Sequence, residues 1–162
     1  MIAYAQIVGS KLAPNLKGKV LFKDVPNGTE ICIEVTGLPQ FSPQTSFQPQ
    51  IGPHGFHIHE TGKCEITDEN EPFTSAQSHF NPANQPHGNH AGDLPTLFSN
   101  NGYSRMCFYT NKFSVYDIIG RSIIIHQSPD DGRTEPAGNS GKRIGCGIIK
   151  VLQWEPLLLY FF

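Results

Sequence analysis

Seven histidines in 162 residues is a high count, and most of them stand where they could hold a metal ion. His57 and His59 are two apart in the run Gly55-Phe56-His57-Ile58-His59-Glu60, which reads as a β-strand. Side chains two apart on a strand leave the same face, so both imidazoles can reach one ion. A polar strand face produces the same spacing by chance, so the pair alone does not decide. The stretch 79–93 adds His79, His87, His90 and Asp93, with Gly88 and Gly92 between them. Imidazole and carboxylate together suit zinc, which takes four ligands in a tetrahedron. An ion would also keep a Gly- and Pro-rich loop ordered. His126 ends the apolar run Ile123-Ile124-Ile125, where a strand reaches a rim. Imidazole-only coordination suits copper as well. Ligand type therefore implies two sites, one all-histidine and one histidine–aspartate.

The elements that must carry these residues are short strands. Residues 29–36 alternate cleanly, with Ile31, Ile33 and Val35 on one face and Glu30, Cys32 and Glu34 on the other. Such period-two patterning between turn residues is the signal of a half-buried strand. Residues 5–9, 18–25, 55–60, 103–110, 122–126 and 144–151 read the same way, less regularly. Two long loops, 61–102 and 127–143, separate the later strands. A structureless stretch as long as the first is uncommon in a compact domain, and it usually carries function or is held by a crosslink or ion. Strands with frequent turns predict an antiparallel sandwich or barrel. The 16 Gly and 13 Pro agree, because these are the poorest helix formers.

Composition narrows the function. Twelve basic against 14 acidic residues exclude a strongly basic nucleic-acid binder. With 38% hydrophobic residues and 16% charged, the chain can bury a core. No apolar run approaches the roughly 20 residues of a membrane span. The start, Met1-Ile2-Ala3-Tyr4-Ala5-Gln6, has neither a basic nor a long apolar signal region, so a cytoplasmic setting is the expectation, with export left open.

Six motifs, in order, resemble those of the copper-zinc superoxide dismutases, the bacterial branch most. They are Gly55-Phe56-His57-Ile58-His59-Glu60, His79-Phe80-Asn81-Pro82, His87-Gly88, His90-Ala91-Gly92-Asp93-Leu94, His126-Gln127-Ser128-Pro129-Asp130-Asp131 and Gly138-Asn139-Ser140-Gly141-Lys142-Arg143-Ile144-Gly145-Cys146-Gly147. The resemblance implies an all-β, immunoglobulin-like Greek-key β-sandwich or flattened barrel of about eight antiparallel strands with two long functional loops. It implies copper on His57, His59, His79 and His126, and zinc on His79, His87, His90 and Asp93, with His79 bridging the two. Asp130 would link a copper histidine to a zinc histidine. Arg143 would attract the anionic substrate, superoxide, with Lys142 adding to a positive funnel. Cys64 and Cys146 would form the family disulfide, while Cys32 and Cys107, each within a strand pattern, are expected as free thiols, with a second bridge between them as the alternative. His87 and His90 are only three apart, where typical members carry a longer loop. Residues 1–152 are expected as one domain and 153–162 as an apolar tail. The tail ends in six apolar residues, Leu157, Leu158, Leu159, Tyr160, Phe161 and Phe162, and matches nothing in the family pattern. His54 has no role in that pattern and reads as a loop residue. The implied activity is superoxide disproportionation. The alternative is a metal-binding module of the same fold without turnover. A homodimer is compatible with the resemblance, and neither a nucleic-acid partner nor a membrane span is expected.

Overall fold

The computed structural model describes residues 1–153, so the tail's apolar run lies outside the described residues. Eight strands form one sheet: β1 (Ile2–Gly9), β2 (Lys17–Val25), β3 (Gly28–Thr36), β4 (Phe56–His59), β5 (Ser104–Thr110), β6 (Ser122–His126), β7 (Arg143–Ile148) and β8 (Lys150–Val151). All described pairings are antiparallel. The order is β4-β6-β7-β1-β2-β3-β5, with β8 also on β1. The run predicted at 144–151 is broken at Ile149, whose N–H turns to the Arg121 carbonyl.

Local chemistry explains the elements. β2 and β3 meet through Pro26 and Asn27, and Asn27 has φ 67°. Proline presets the first turn position and asparagine tolerates the left-handed second one. In β3 the alternation holds: Thr29, Ile31, Ile33 and Val35 are fully buried and Glu30 is exposed. The sheet curls, because Val20 and Phe22 from β2, Ile31 and Ile33 from β3, Phe56 and Ile58 from β4, and Ile123 and Ile125 from β6 share one core cluster. The sequence pattern does not anticipate the one described α-helical turn, α1 (Val115–Ile118). A capping box between Ser114 and Asp117 starts it.

β4 and β6 are buried along their whole length. One face packs on the core. The other carries His57, opposite Ile124, and is roofed by the chain after β4. Phe73, Ala76, Ile124 and Cys146 form a second small cluster there, with Cys64 against it. The expected Cys64–Cys146 disulfide closes this roof onto β7.

The other cysteine pair overturns an expectation. Cys32 and Cys107 are not free thiols but a second disulfide, with Cα atoms 4.1 Å apart. They face each other directly in the β3–β5 register. Two cysteines on outward strand positions become partners only once β3 is known to pair with β5, which lies 75 residues on for these two.

Candidate metal centre

Four histidines converge at the end of β4 and β6. His57 and His59 come from β4, His126 from the end of β6, and His79 from the roofing loop; one ring nitrogen of each lies within 4.8 Å of the others. A small ladder places His79. Phe80 N–H donates to the Ile58 carbonyl at 2.8 Å, Ile58 N–H to the Gly92 carbonyl at 2.9 Å, and Gly92 N–H to the Phe80 carbonyl at 2.8 Å. Side chains alternate along these short segments, so His79 and Asp93 stand beside His59 and His57 as bridge partners. His126 is aimed by a register shift at Ile125/His126, which pairs His126 with Arg143. Bulges of this kind re-aim side chains beside active sites. A Cβ on Gly55 would lie 2.9 Å from Ser140 and 3.2 Å from the His57 ring, so the bare glycine lets that ring in.

His79 belongs to a second cluster as well, with His87, His90 and Asp93, again within 4.8 Å. The short spacing between His87 and His90 still brings both rings in. Asp93 organises the turn: it accepts from His79 Nδ1 at 2.9 Å, Gly88 N–H at 2.8 Å and His90 N–H at 3.0 Å. Glu135 accepts from His87 N–H at 2.7 Å, and Lys112 Nζ donates to the His90 carbonyl at 3.0 Å. Asp130 joins the clusters, with its oxygens 2.6 Å from His57 Nε2 and 2.8 Å from His87 Nε2. Gly138, at φ 63°, passes so close that any Cβ would strike Asp130 and His87.

These donors fit metal ions. His57 Nδ1, His79 Nε2, His87 Nδ1 and His90 Nδ1 are buried and have no hydrogen-bond partner. Orphaned buried polar atoms are costly unless something occupies them. The opposite nitrogens of His57, His79 and His87 are committed to Asp130 and Asp93. His59 Nδ1 donates to the Gln77 carbonyl at 2.8 Å and His126 Nδ1 to the Gly141 carbonyl at 3.2 Å. Carbonyl acceptors fix the proton on Nδ1 and leave the Nε2 lone pairs free, 3.4 Å apart, for one ion. Four imidazoles suit copper, and three imidazoles with one carboxylate suit zinc.

Burial favours the neutral form of three of the site's imidazoles. It pushes His59 and His126 well below the usual histidine value, and His79 down to about 4 against the opposing pull of Asp93. Burial acts to raise Asp130, but hydrogen bonds from His57 and His87 hold it well below the usual carboxylate range. The unfolded chain therefore binds more protons than the folded one below about pH 6.5, so acid removes stability. The loss begins at the unfolded histidine value and, for His79, is complete near pH 4. At that one site it amounts to about 3 kcal/mol. The melting temperature of the metal-free protein should fall steadily from about pH 7 to about pH 4.5; a flat profile would contradict the buried, neutral rings.

Arg143, at the start of β7, lies beside the four histidines. Its Nη1 donates to the Phe73 carbonyl and its Nη2 to the Gln77 carbonyl, both at 2.7 Å. Gln77 therefore ties the arginine and His59 to one atom. Phe73 and Gln77 have φ 61° and 64°, unusual for non-glycine residues. No sequence signal marks these two residues, whose carbonyls do the work. Lys142 does not stand free at the rim: it pairs with Glu71 at 3.3 Å and donates to the Asn70 carbonyl. His54 lies outside the strands, as expected of a loop residue, yet it is not a surface one. It is fully buried, its backbone pairs with Leu97, and its Nδ1 donates to the His126 carbonyl at 2.9 Å.

Known proteins are similar to this chain. Residues 16–149 match the family model of copper/zinc superoxide dismutase. A Cu-Zn superoxide dismutase of Deinococcus radiodurans is 36% identical over 152 residues, covering 83% of this chain and 78% of the relative. One from Aquifex aeolicus is 34% identical over 148 residues, covering 82% and 79%. The solved Cu/Zn superoxide dismutase from Brucella abortus superposes with a TM-score of 0.73 at 23% identity, over 91% of this chain and 99% of that one, and so shares the fold. With the family model spanning most of the chain and relatives at this level of identity, the chain belongs to the copper/zinc superoxide dismutase family.

Proposed function

We propose that this protein disproportionates superoxide to dioxygen and hydrogen peroxide, with copper held by His57, His59, His79 and His126 and zinc by His79, His87, His90 and Asp93. The observation that carries the assignment is His79, whose Nε2 is a buried orphan in the four-histidine cluster while its Nδ1 meets Asp93 in the other. When bound, copper would supply the one-electron acceptor and donor that disproportionation needs, and zinc would supply a fixed positive charge.

The chain's own residues do the rest. His79 can hold a proton at Nε2 while Nδ1 stays with the Asp93 cluster, which places that proton beside the reacting anion. Asp130 orients His57 and His87 together, so the two sites keep their spacing. Arg143 presents a fixed cation at the mouth, which attracts and orients an anion. Lys142 is paired with Glu71 and Asn70 away from the histidines, so the role falls to Arg143.

Arg143→Ala should lower kcat/KM about tenfold and flatten its salt dependence. Stopped-flow superoxide decay at two ionic strengths checks this, and an unchanged rate would remove Arg143 from the mechanism. The whole reading is tested by reconstitution with both metals. It requires about one copper and one zinc per chain together with fast superoxide decay. Metal without decay would favour the binding module, and decay with copper alone would unseat His87, His90 and Asp93. With two disulfides, an oxidising compartment suits the chain better than a reducing cytoplasm.

A further inference from the structure

The outer face of the sheet carries a feature that the metal chemistry does not use. Cys32 and Cys107 are joined across β3 and β5, among Glu30, Glu34, Arg105 and Tyr109 on the same outward face. Cys107 is exposed and Cys32 half-buried. β5 ends the strand order, so no described strand covers its far side. The second disulfide is more enclosed: Cys64 is half-buried like Cys32, but Cys146 is 1% exposed and packs with Phe73, Ala76 and Ile124 under the roofing loop.

We propose that Cys32–Cys107 is a thiol-exchange site that takes small thiols of the glutathione class. A thiolate from solvent attacks Cys107 Sγ and forms a new S–S bond. Cys32 Sγ leaves with the electron pair of the broken bond and takes a proton from water. A second thiolate then attacks the small-thiol sulfur of the mixed disulfide and releases Cys107 as a thiol. In balance, two small thiols are oxidised to one small disulfide, and Cys32–Cys107 is reduced to two thiols.

Access decides which disulfide reacts, because exchange requires a thiolate to reach one sulfur in line with the S–S bond. Cys107 is the one exposed cysteine of the four; in the other bond Cys146 is buried and Cys64 half-buried. Opening the bond leaves the fold in place, since β3 and β5 stay joined by a register running from Thr29↔Thr110 to Val35↔Ser104. Neither cysteine belongs to a metal cluster, so the inference stands apart from the metal assignments.

The test uses the metal-loaded protein in graded reduced glutathione near neutral pH. Samples are quenched by alkylation and mapped by peptide mass spectrometry. Cys32–Cys107 should open at least about tenfold faster than Cys64–Cys146, with the first glutathione on Cys107. Equal rates, or Cys64–Cys146 opening first, would mean that both bonds open only through unfolding, and the proposal fails. A first adduct on Cys32 overturns the direction of attack. In a second arm, Cys32→Ser leaves Cys107 as a single thiol that oxidised glutathione should cap under native conditions. A Cys107 that reacts only in denaturant overturns the site.

Discussion

Replacing His126 by alanine is expected to abolish superoxide decay while zinc stays bound. His126 supplies one of four nitrogens in the copper cluster and none in the zinc cluster. Its Nε2 lies 3.4 Å from His59 Nε2, and its ring is held by the Gly141 carbonyl. Losing an outer partner of a ligand typically costs about 10–100-fold in metal affinity, so losing a ligand should cost copper more than about 100-fold. The fold should persist, because His126 ends β6 and the apolar core runs through Ile123 and Ile125. Metal analysis of the reconstituted variant should show zinc near one per chain with copper lost, and stopped-flow decay at background. A variant that keeps both copper and rate would mean that His126 is not a ligand.

Asp93→Ala should empty the zinc site and loosen the loop around it. The carboxylate is the common acceptor for His79 Nδ1 and for the Gly88 and His90 N–H groups. Each buried group left without its partner costs about 1–3 kcal/mol. With the His79 and His90 groups both stranded, the sum is about 2–6 kcal/mol, or roughly 10 °C in melting temperature for a chain of this size. Asp93→Asn separates the two effects, because the amide oxygen still accepts from the backbone but brings no charge to the ion. It should recover part of the melting temperature and little zinc. Zinc at one per chain in the alanine variant, with an unshifted melt, would remove Asp93 from the site.

Much of the site was legible beforehand because its signals are local. His57 and His59 share a face by strand stereochemistry, and His79, His87, His90 and Asp93 are ligand types gathered in one Gly-rich stretch. The structure brings all of them together, even across the short step from His87 to His90. What was missed is backbone or distant. The Phe73 and Gln77 carbonyls that hold Arg143 belong to residues of no special type, and left-handed φ at those positions has no sequence mark. Lys142 read as a free cation until Glu71, 71 positions earlier, was found beside it. His54 is a loop residue as read, but its complete burial and its bond to the His126 carbonyl carry no local mark. The helical turn behind the capping box of Ser114 and Asp117 was not anticipated either, because four residues are too few to show a helical period.

The sequence by itself determined the strand periods, the ligand types and the motif order. These follow from side-chain direction and donor chemistry, which act over a few residues. Only the tertiary structure decided which strands are neighbours. β3 is followed in the chain by β4 yet pairs with β5, and that choice alone turns Cys32 and Cys107 from thiols into a bridge. Pairing is set by the sum of many small burial and hydrogen-bond terms across the whole sheet, each too weak and too distant in sequence to leave a local mark.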